Sequence, residues 1–102
     1  MNELFELLKQ LNIPVAYHHF VEATTPPYIA YYRLETNNFY ADNKVYQKID
    51  TYRIELYTLQ KDVTLESQLE QLLETMELPY EIIAESYIES EKVYQVIYEV
   101  NI

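Results

Sequence analysis

The chain has no cysteine, no glycine and no tryptophan in its 102 residues. The missing cysteine excludes disulfide frameworks, thiolate zinc sites, iron–sulfur clusters and thiol nucleophiles. An average composition would supply about seven glycines per hundred residues. Their absence removes the Walker loop, the dinucleotide fingerprint and the G-x-S-x-G elbow together, because each needs backbone that only glycine supplies. Cations are scarce: seven Lys and Arg stand against seventeen Asp and Glu, a net charge of −10. Such a surface repels nucleic acid, whose binding depends on cations replacing counterions, and suits solubility or a basic protein partner. Long apolar runs are also missing. The longest, such as Tyr28-Ile29-Ala30-Tyr31-Tyr32, fall far short of the roughly 20 residues of a membrane span. The start, Met-Asn-Glu-Leu-Phe-Glu, lacks the basic then apolar pattern of a signal peptide, which predicts folding in a cytoplasm.

Apolar residues nevertheless make up 49%, enough for a core, and the length suits a single domain over residues 1–102. Tyrosine is the anomaly, at twelve residues. As an apolar ring with a polar tip, it suits a half-buried sheet surface.

Leu4, Phe5, Leu8 and Leu11 recur at helical spacing and predict a helix over 2–11, with Asn2 as its cap. Asn12 and Pro14 end it. A short strand is expected over Val15 to Phe20, then a stiff break at Thr24-Thr25-Pro26-Pro27. Tyr28 to Tyr40 reads as a long strand or bent pair, with a bulge or kink at Asn37-Asn38. Ala41-Asp42-Asn43 is the strongest turn signal and predicts a hairpin arm from about 36 to 59, returning along Tyr52 to Leu59. Asp62 or Thr64 caps a second helix over 63–77. Its apolar stripe is Leu65, Leu69, Leu72, Leu73 and Met76, and its expected solvent face is Glu66, Glu70, Glu74 and Glu77. Strands follow over Tyr80 to Ile88 and Val93 to Ile102, with a turn at Ser90-Glu91-Lys92. The expected fold is α+β: an antiparallel sheet with two helices on one face, in the order αββββαββ.

Several constellations carry candidate chemistry. His18 and His19 are strand neighbours that should point to opposite faces, so they are not expected to share a metal; one core and one surface histidine is the expectation. The carboxylate row on the second helix reads either as a solvated face or as a dock for a basic partner. Paired-carboxylate hydrolysis would need a cleft that a short, glycine-free chain does not promise, so no catalytic, metal or cofactor residue is expected. Tyr28, Tyr31, Tyr32, Tyr52, Tyr57, Tyr94 and Tyr98 lie in expected strands, where they can pack across the sheet or face another subunit. The candidate subunit or partner interface is Asn38, Phe39, Tyr40, Asp42, Asn43, Lys44 and Tyr46 at the arm's tip, with Tyr94 and Tyr98 on the last strand.

Five stretches carry a resemblance. They are Pro14-Val15-Ala16-Tyr17-His18-His19-Phe20 with Pro26-Pro27-Tyr28-Ile29-Ala30-Tyr31, then Asn37-Asn38-Phe39-Tyr40-Ala41-Asp42-Asn43-Lys44-Val45-Tyr46 with Tyr52-Arg53-Ile54-Glu55-Leu56-Tyr57-Thr58, and finally Tyr87 to Glu99. Over about residues 12–99 the chain resembles small proteins from the structural gene modules of tailed phages and prophages of low-GC Gram-positive bacteria. That family is described as tail completion, tail terminator-like or head–tail joining. The resemblance implies a virion protein of the neck or head-proximal tail end, assembled in the host's cytoplasm. It also implies self-association, as in a hexameric ring, and contacts with tail-tube and head–tail connector proteins, without chemistry. Sequence-specific nucleic-acid binding and membrane contact are not expected. The alternative is an acidic protein-binding module, a phage regulator that mimics nucleic acid.

Overall fold

A computed structural model describes residues 2–41 and 44–102, with side chains described for 3–34 and 50–102. The elements in chain order are α1 (Asn2–Lys9), β1 (Val15–Tyr17), β2 (Tyr28–Ala41), β3 (Lys44–Thr58), α2 (Val63–Thr75), β4 (Tyr80–Ile88) and β5 (Val93–Asn101). The strands form one five-stranded sheet in the order β1-β2-β3-β5-β4.

The fold is α+β, but it differs from expectation in strand count and direction. β2 and β3 are each one long strand where three shorter pieces were expected. Irregularities are absorbed as bulges: Leu34 is skipped between the Arg33–Tyr52 and Glu35–Thr51 pairs, and Tyr46 between Phe39–Gln47 and Tyr40–Val45. No register shift falls at Asn37-Asn38. β1 pairs with β2 in parallel, Val15 opposite Ile29, so the sheet is mixed. Residues 18–27 connect the two strands and carry the chain back to the end from which β1 started, as a parallel pair requires. β1 stops at Tyr17, where His18 takes φ 71°, outside the extended backbone of a regular strand.

Strand alternation places Ile29, Tyr31, Tyr52, Ile54, Leu56, Val96, Tyr98 and Val100 on one face. They are buried together with Leu4, Leu7 and Leu8 of α1 and Leu65, Leu69 and Leu73 of α2 in one core. Both helices therefore cover the same face. Fully burying each of these side chains contributes roughly 1.5–3 kcal/mol. Met76, expected in the α2 stripe, is instead 56% exposed, because the helix ends at Thr75 and Met76 is its C-cap.

Helix ends follow local chemistry. The Asp62 carboxylate accepts from the Leu65 N–H at 3.0 Å, so Asp62 and not Thr64 is the N-cap of α2. In the last turn of the first helical segment, Leu11 donates to the Leu8 carbonyl and Asn12 to that of Lys9, a 3₁₀ closure after α1. The C-terminus of α2 closes with Leu78 N–H on Leu73 O at 2.9 Å and Glu77 N–H on Glu74 O at 3.0 Å, the Schellman pattern. Its left-handed residue, normally glycine, is Glu77 at φ 56°. Glu77→Gly is expected to raise unfolding free energy by up to about 1 kcal/mol, as relief of the left-handed strain exceeds the added chain entropy. Urea unfolding followed by circular dichroism checks this; a destabilised variant would contradict it.

Candidate functional site

Two regions stand out: the far end of the β2–β3 hairpin, and the sheet face that the helices leave open. β5 pairs with β3 only from Thr51 to Thr58, and the Asp50–Ile102 backbone bonds close that edge. Beyond it, Thr36 through Ala41 pair with Asp50 through Lys44 and, among the described residues, with no other strand. This is a two-stranded arm on the order of 20 Å long. Asn38, Phe39, Tyr40, Lys44 and Tyr46 all lie on its paired strands, and the Tyr46 position is a bulge. Asp42 and Asn43, and the turn expected around them, lie outside the described residues.

The two expected interface tyrosines of β5 part company. Tyr98 is wholly buried under α2, its hydroxyl donating to Glu70 Oε2 at 2.8 Å, so it is a core residue and not a surface one. The reason is its place in the middle of β5, directly opposite Ile54 on the helix-covered face. Tyr94 is half-buried; its hydroxyl donates to Glu85, and Lys61 Nζ lies 5.7 Å above its ring centre.

The carboxylate row of α2 is a solvated face only in part: Glu74 and Glu77 are exposed as expected, while Glu70 is half-buried and Glu66 is buried. Glu66 is buried and accepts from Lys61 Nζ at 2.8 Å, Glu70 holds Tyr98, and Glu74 accepts from the Tyr80 hydroxyl at 2.7 Å. Lys61 also reaches Glu85 at 3.0 Å, tying the start of α2 to β4. The acidic row borders the sheet because i, i+4 spacing follows one flank of the helix, next to the leucines. Tyrosine hydroxyls supply the donors that scarce cations cannot. The Glu74 hydrogen bond and burial push the Tyr80 hydroxyl up to about 12, and burial with the Glu70 hydrogen bond raises that of Tyr98 further.

The open face presents Tyr28, Ala30 and Tyr32 from β2, Arg53, Glu55 and Tyr57 from β3, and Gln95, Ile97 and Glu99 from β5. Tyr28 and Tyr57 are cross-strand partners, and their rings stack with centres 4.9 Å apart at 25°. Phe20 stands edge-on to Tyr28 at 5.2 Å. Glu55 accepts from Tyr57 at 2.9 Å through Oε1 and from Tyr32 at 3.1 Å through Oε2. Gln95 in turn donates to the Tyr57 hydroxyl at 2.8 Å. Burial, then the Glu55 contact, raises the Tyr57 hydroxyl well above the ordinary tyrosine range. Arg53 pairs with Glu99 across the strands at 3.3 Å.

The loop after β1 folds over this face and borders an open cavity of about 250 Å³. Its lining includes Phe20, Glu22, Tyr28, Glu55, Tyr57 and Glu91. His18 and His19 also border it, and here the strand argument fails. The left-handed turn at His18 brings the two rings together, with Nδ1 atoms 3.2 Å apart, and both histidines are exposed. Among the described residues no group of three or more His, Cys, Asp or Glu is arranged to hold a metal ion. Sequence reasoning did not foresee this pocket. The signal was present in the period-two alternation that puts Glu55 and Tyr57 on one side of β3. The long loop that covers them carries no such period.

Outer edges complete the surface. β4 is a sheet edge exposed from Glu81 to Tyr87, with Ile82 52%, Ile83 44% and Tyr87 49% accessible. Ile83 is the bulged residue, skipped between the Ile82–Tyr98 and Ala84–Ile97 pairs. Among the described residues no helix is long and apolar enough to cross a membrane. No protein-family model matches the chain, and no curated protein matches it either.

Proposed function

We propose that this protein is a structural component of a phage virion, at the neck or the head-proximal end of the tail. In this reading it completes the tail tube, joins it to the head, or both. It acts as a ring of identical subunits and carries out no reaction. The observation that carries the proposal is the arm: among the described residues, strands 37–41 and 44–49 pair only with each other, beyond the reach of β5. A two-stranded ribbon is marginally stable in water by itself and gains stability when another surface covers it. The exposed β4 edge, with Ile82, Ile83 and Tyr87, supplies a second surface that a neighbouring chain can extend. One arm and one edge per subunit suit a head-to-tail contact, which closes into a ring when its rotation allows. Tail-tube and connector proteins are the further partners of this reading, and the virion is its location.

Light scattering across concentration and salt tests it. A stable multiple near six subunits is the expected result, or a monomer that binds tail-tube or connector protein in a pull-down. A monomer that binds neither would overturn the proposal. The second reading, an acidic module that occupies a basic protein's nucleic-acid site, draws on the −10 charge and on exposed Glu77, Glu81, Glu89 and Glu91 around β4. Competition by DNA for a basic partner would favour it.

A further inference from the structure

We propose that the open-face pocket is a receptor for an arginine side chain presented by a basic segment of a partner protein. Three observations converge on a planar cation. First, the walls are aromatic: Tyr28 and Tyr57 stack, and Phe20 closes edge-on at 5.2 Å. Ring faces attract cations, and a guanidinium stacks on them better than an ammonium does. Second, three carboxylates, Glu22, Glu55 and Glu91, line the cavity, and none of the described lining residues is Lys or Arg. Third, Glu55 is held in place. Each of its oxygens accepts one tyrosine hydroxyl, and Gln95 braces Tyr57 from behind. A carboxylate oxygen has two lone pairs, so each keeps one free for the parallel fork of a guanidinium.

Size narrows the choice further. At about 250 Å³ the cavity is smaller than the roughly 300–1,000 Å³ of sites that enclose a drug-sized ligand. It suits one side chain. A chain with seventeen acidic and seven basic residues also steers toward basic partners over its whole surface. The inference rests on the assembly reading only for where the arginine comes from; the pocket chemistry stands without it.

The experiment uses the full chain and blocked arginine (N-acetyl-arginine amide), followed by amide chemical shifts in NMR. Blocked citrulline, the same shape without charge, is the comparison. Saturable shifts are expected around residues 18–24, 28–30 and 55–57 with arginine, and none with citrulline. Glu55→Gln should weaken binding at least about tenfold, the loss of one hydrogen bond to a charged group. Glu22→Gln, at an exposed position, should weaken it about two- to fivefold, the size of an exposed ion pair. Glu3→Gln, exposed on α1, should change nothing. Equal shifts from citrulline, or an equal loss in Glu3→Gln and Glu55→Gln, would overturn the proposal. A chain that binds arginine but neither forms a ring nor binds tail proteins would overturn only the assembly reading. A ring that ignores arginine would overturn only this one.

Discussion

Tyr98→Ala is expected to cost about 3–5 kcal/mol of unfolding free energy, the range for removing a large buried aromatic ring. Tyr98 is fully buried at the centre of β5, between Ile54 on β3 and the underside of α2. A domain of this size has only about 5–15 kcal/mol in total, so the variant should sit near the edge of folding. Tyr98→Phe keeps the ring and removes the hydroxyl that reaches Glu70. Its cost should be about 1–2 kcal/mol, since water can still solvate the partly exposed carboxylate. Urea unfolding of both variants separates ring from hydroxyl; equal costs would show that the hydrogen bond dominates and would contradict this account. The same hydroxyl gives a pH dependence. Folding raises the Tyr98, Tyr80 and Tyr57 hydroxyls above their ordinary value of 10.0. The stability they contribute is therefore fully present below pH 10 and is lost as pH rises through their folded values, about 12 for Tyr80. Tyr98→Phe should flatten part of that alkaline loss.

Removing the arm should have the opposite profile, with little effect on folding and a large one on assembly. Replacing residues 37–49 by Asn-Gly would join Thr36 to Asp50, an opposed pair in the native register, through a tight hairpin turn. Every core residue among those whose side chains are described lies outside the deleted segment, and the β3–β5 ladder begins at Thr51. Stability should change by no more than about 1 kcal/mol, as expected for shortening a hairpin that the β3–β5 ladder does not reach. Self-association or tail-protein binding should weaken at least about thirtyfold, the effect of removing an interface hot spot. Light scattering on the shortened chain, beside its thermal melt, checks both halves. A shortened chain that still assembles would assign the contact to the β4 edge instead.

The two compositional oddities, excess acid and excess tyrosine, have one structural explanation. Among the described residues, tyrosine hydroxyls repeatedly donate to carboxylates: Tyr32 and Tyr57 to Glu55, Tyr80 to Glu74, Tyr94 to Glu85 and Tyr98 to Glu70. A neutral hydroxyl can satisfy a half-buried carboxylate without a second charge to desolvate. The chain thus keeps its high negative charge while anchoring the carboxylates at its seams. The absent glycine has a parallel consequence: among the described residues, the left-handed positions fall to Asn12, His18, Glu77 and Lys92.

Local pattern carried much of this fold. The spacing of Leu65, Leu69 and Leu73 places α2 and its buried stripe, the Asp62 cap starts it, and alternation in Tyr52–Leu56 and Val96–Val100 assigns the core face. Those features depend on helical and strand periods, which neighbouring residues encode by themselves. The direction of β1, the continuity of β2 and β3 through their bulges, the meeting of His18 with His19 and the burial of Glu66 were decided elsewhere. Each depends on what packs across the sheet or on a left-handed backbone turn, and neither leaves a periodic mark. The pocket is the clearest case. Tyr28, Glu55 and Tyr57 share a face by simple alternation, yet only the folding of loop 18–24 over them makes a site. A long connection is positioned by tertiary contacts, because it has no regular hydrogen-bond pattern to determine its course.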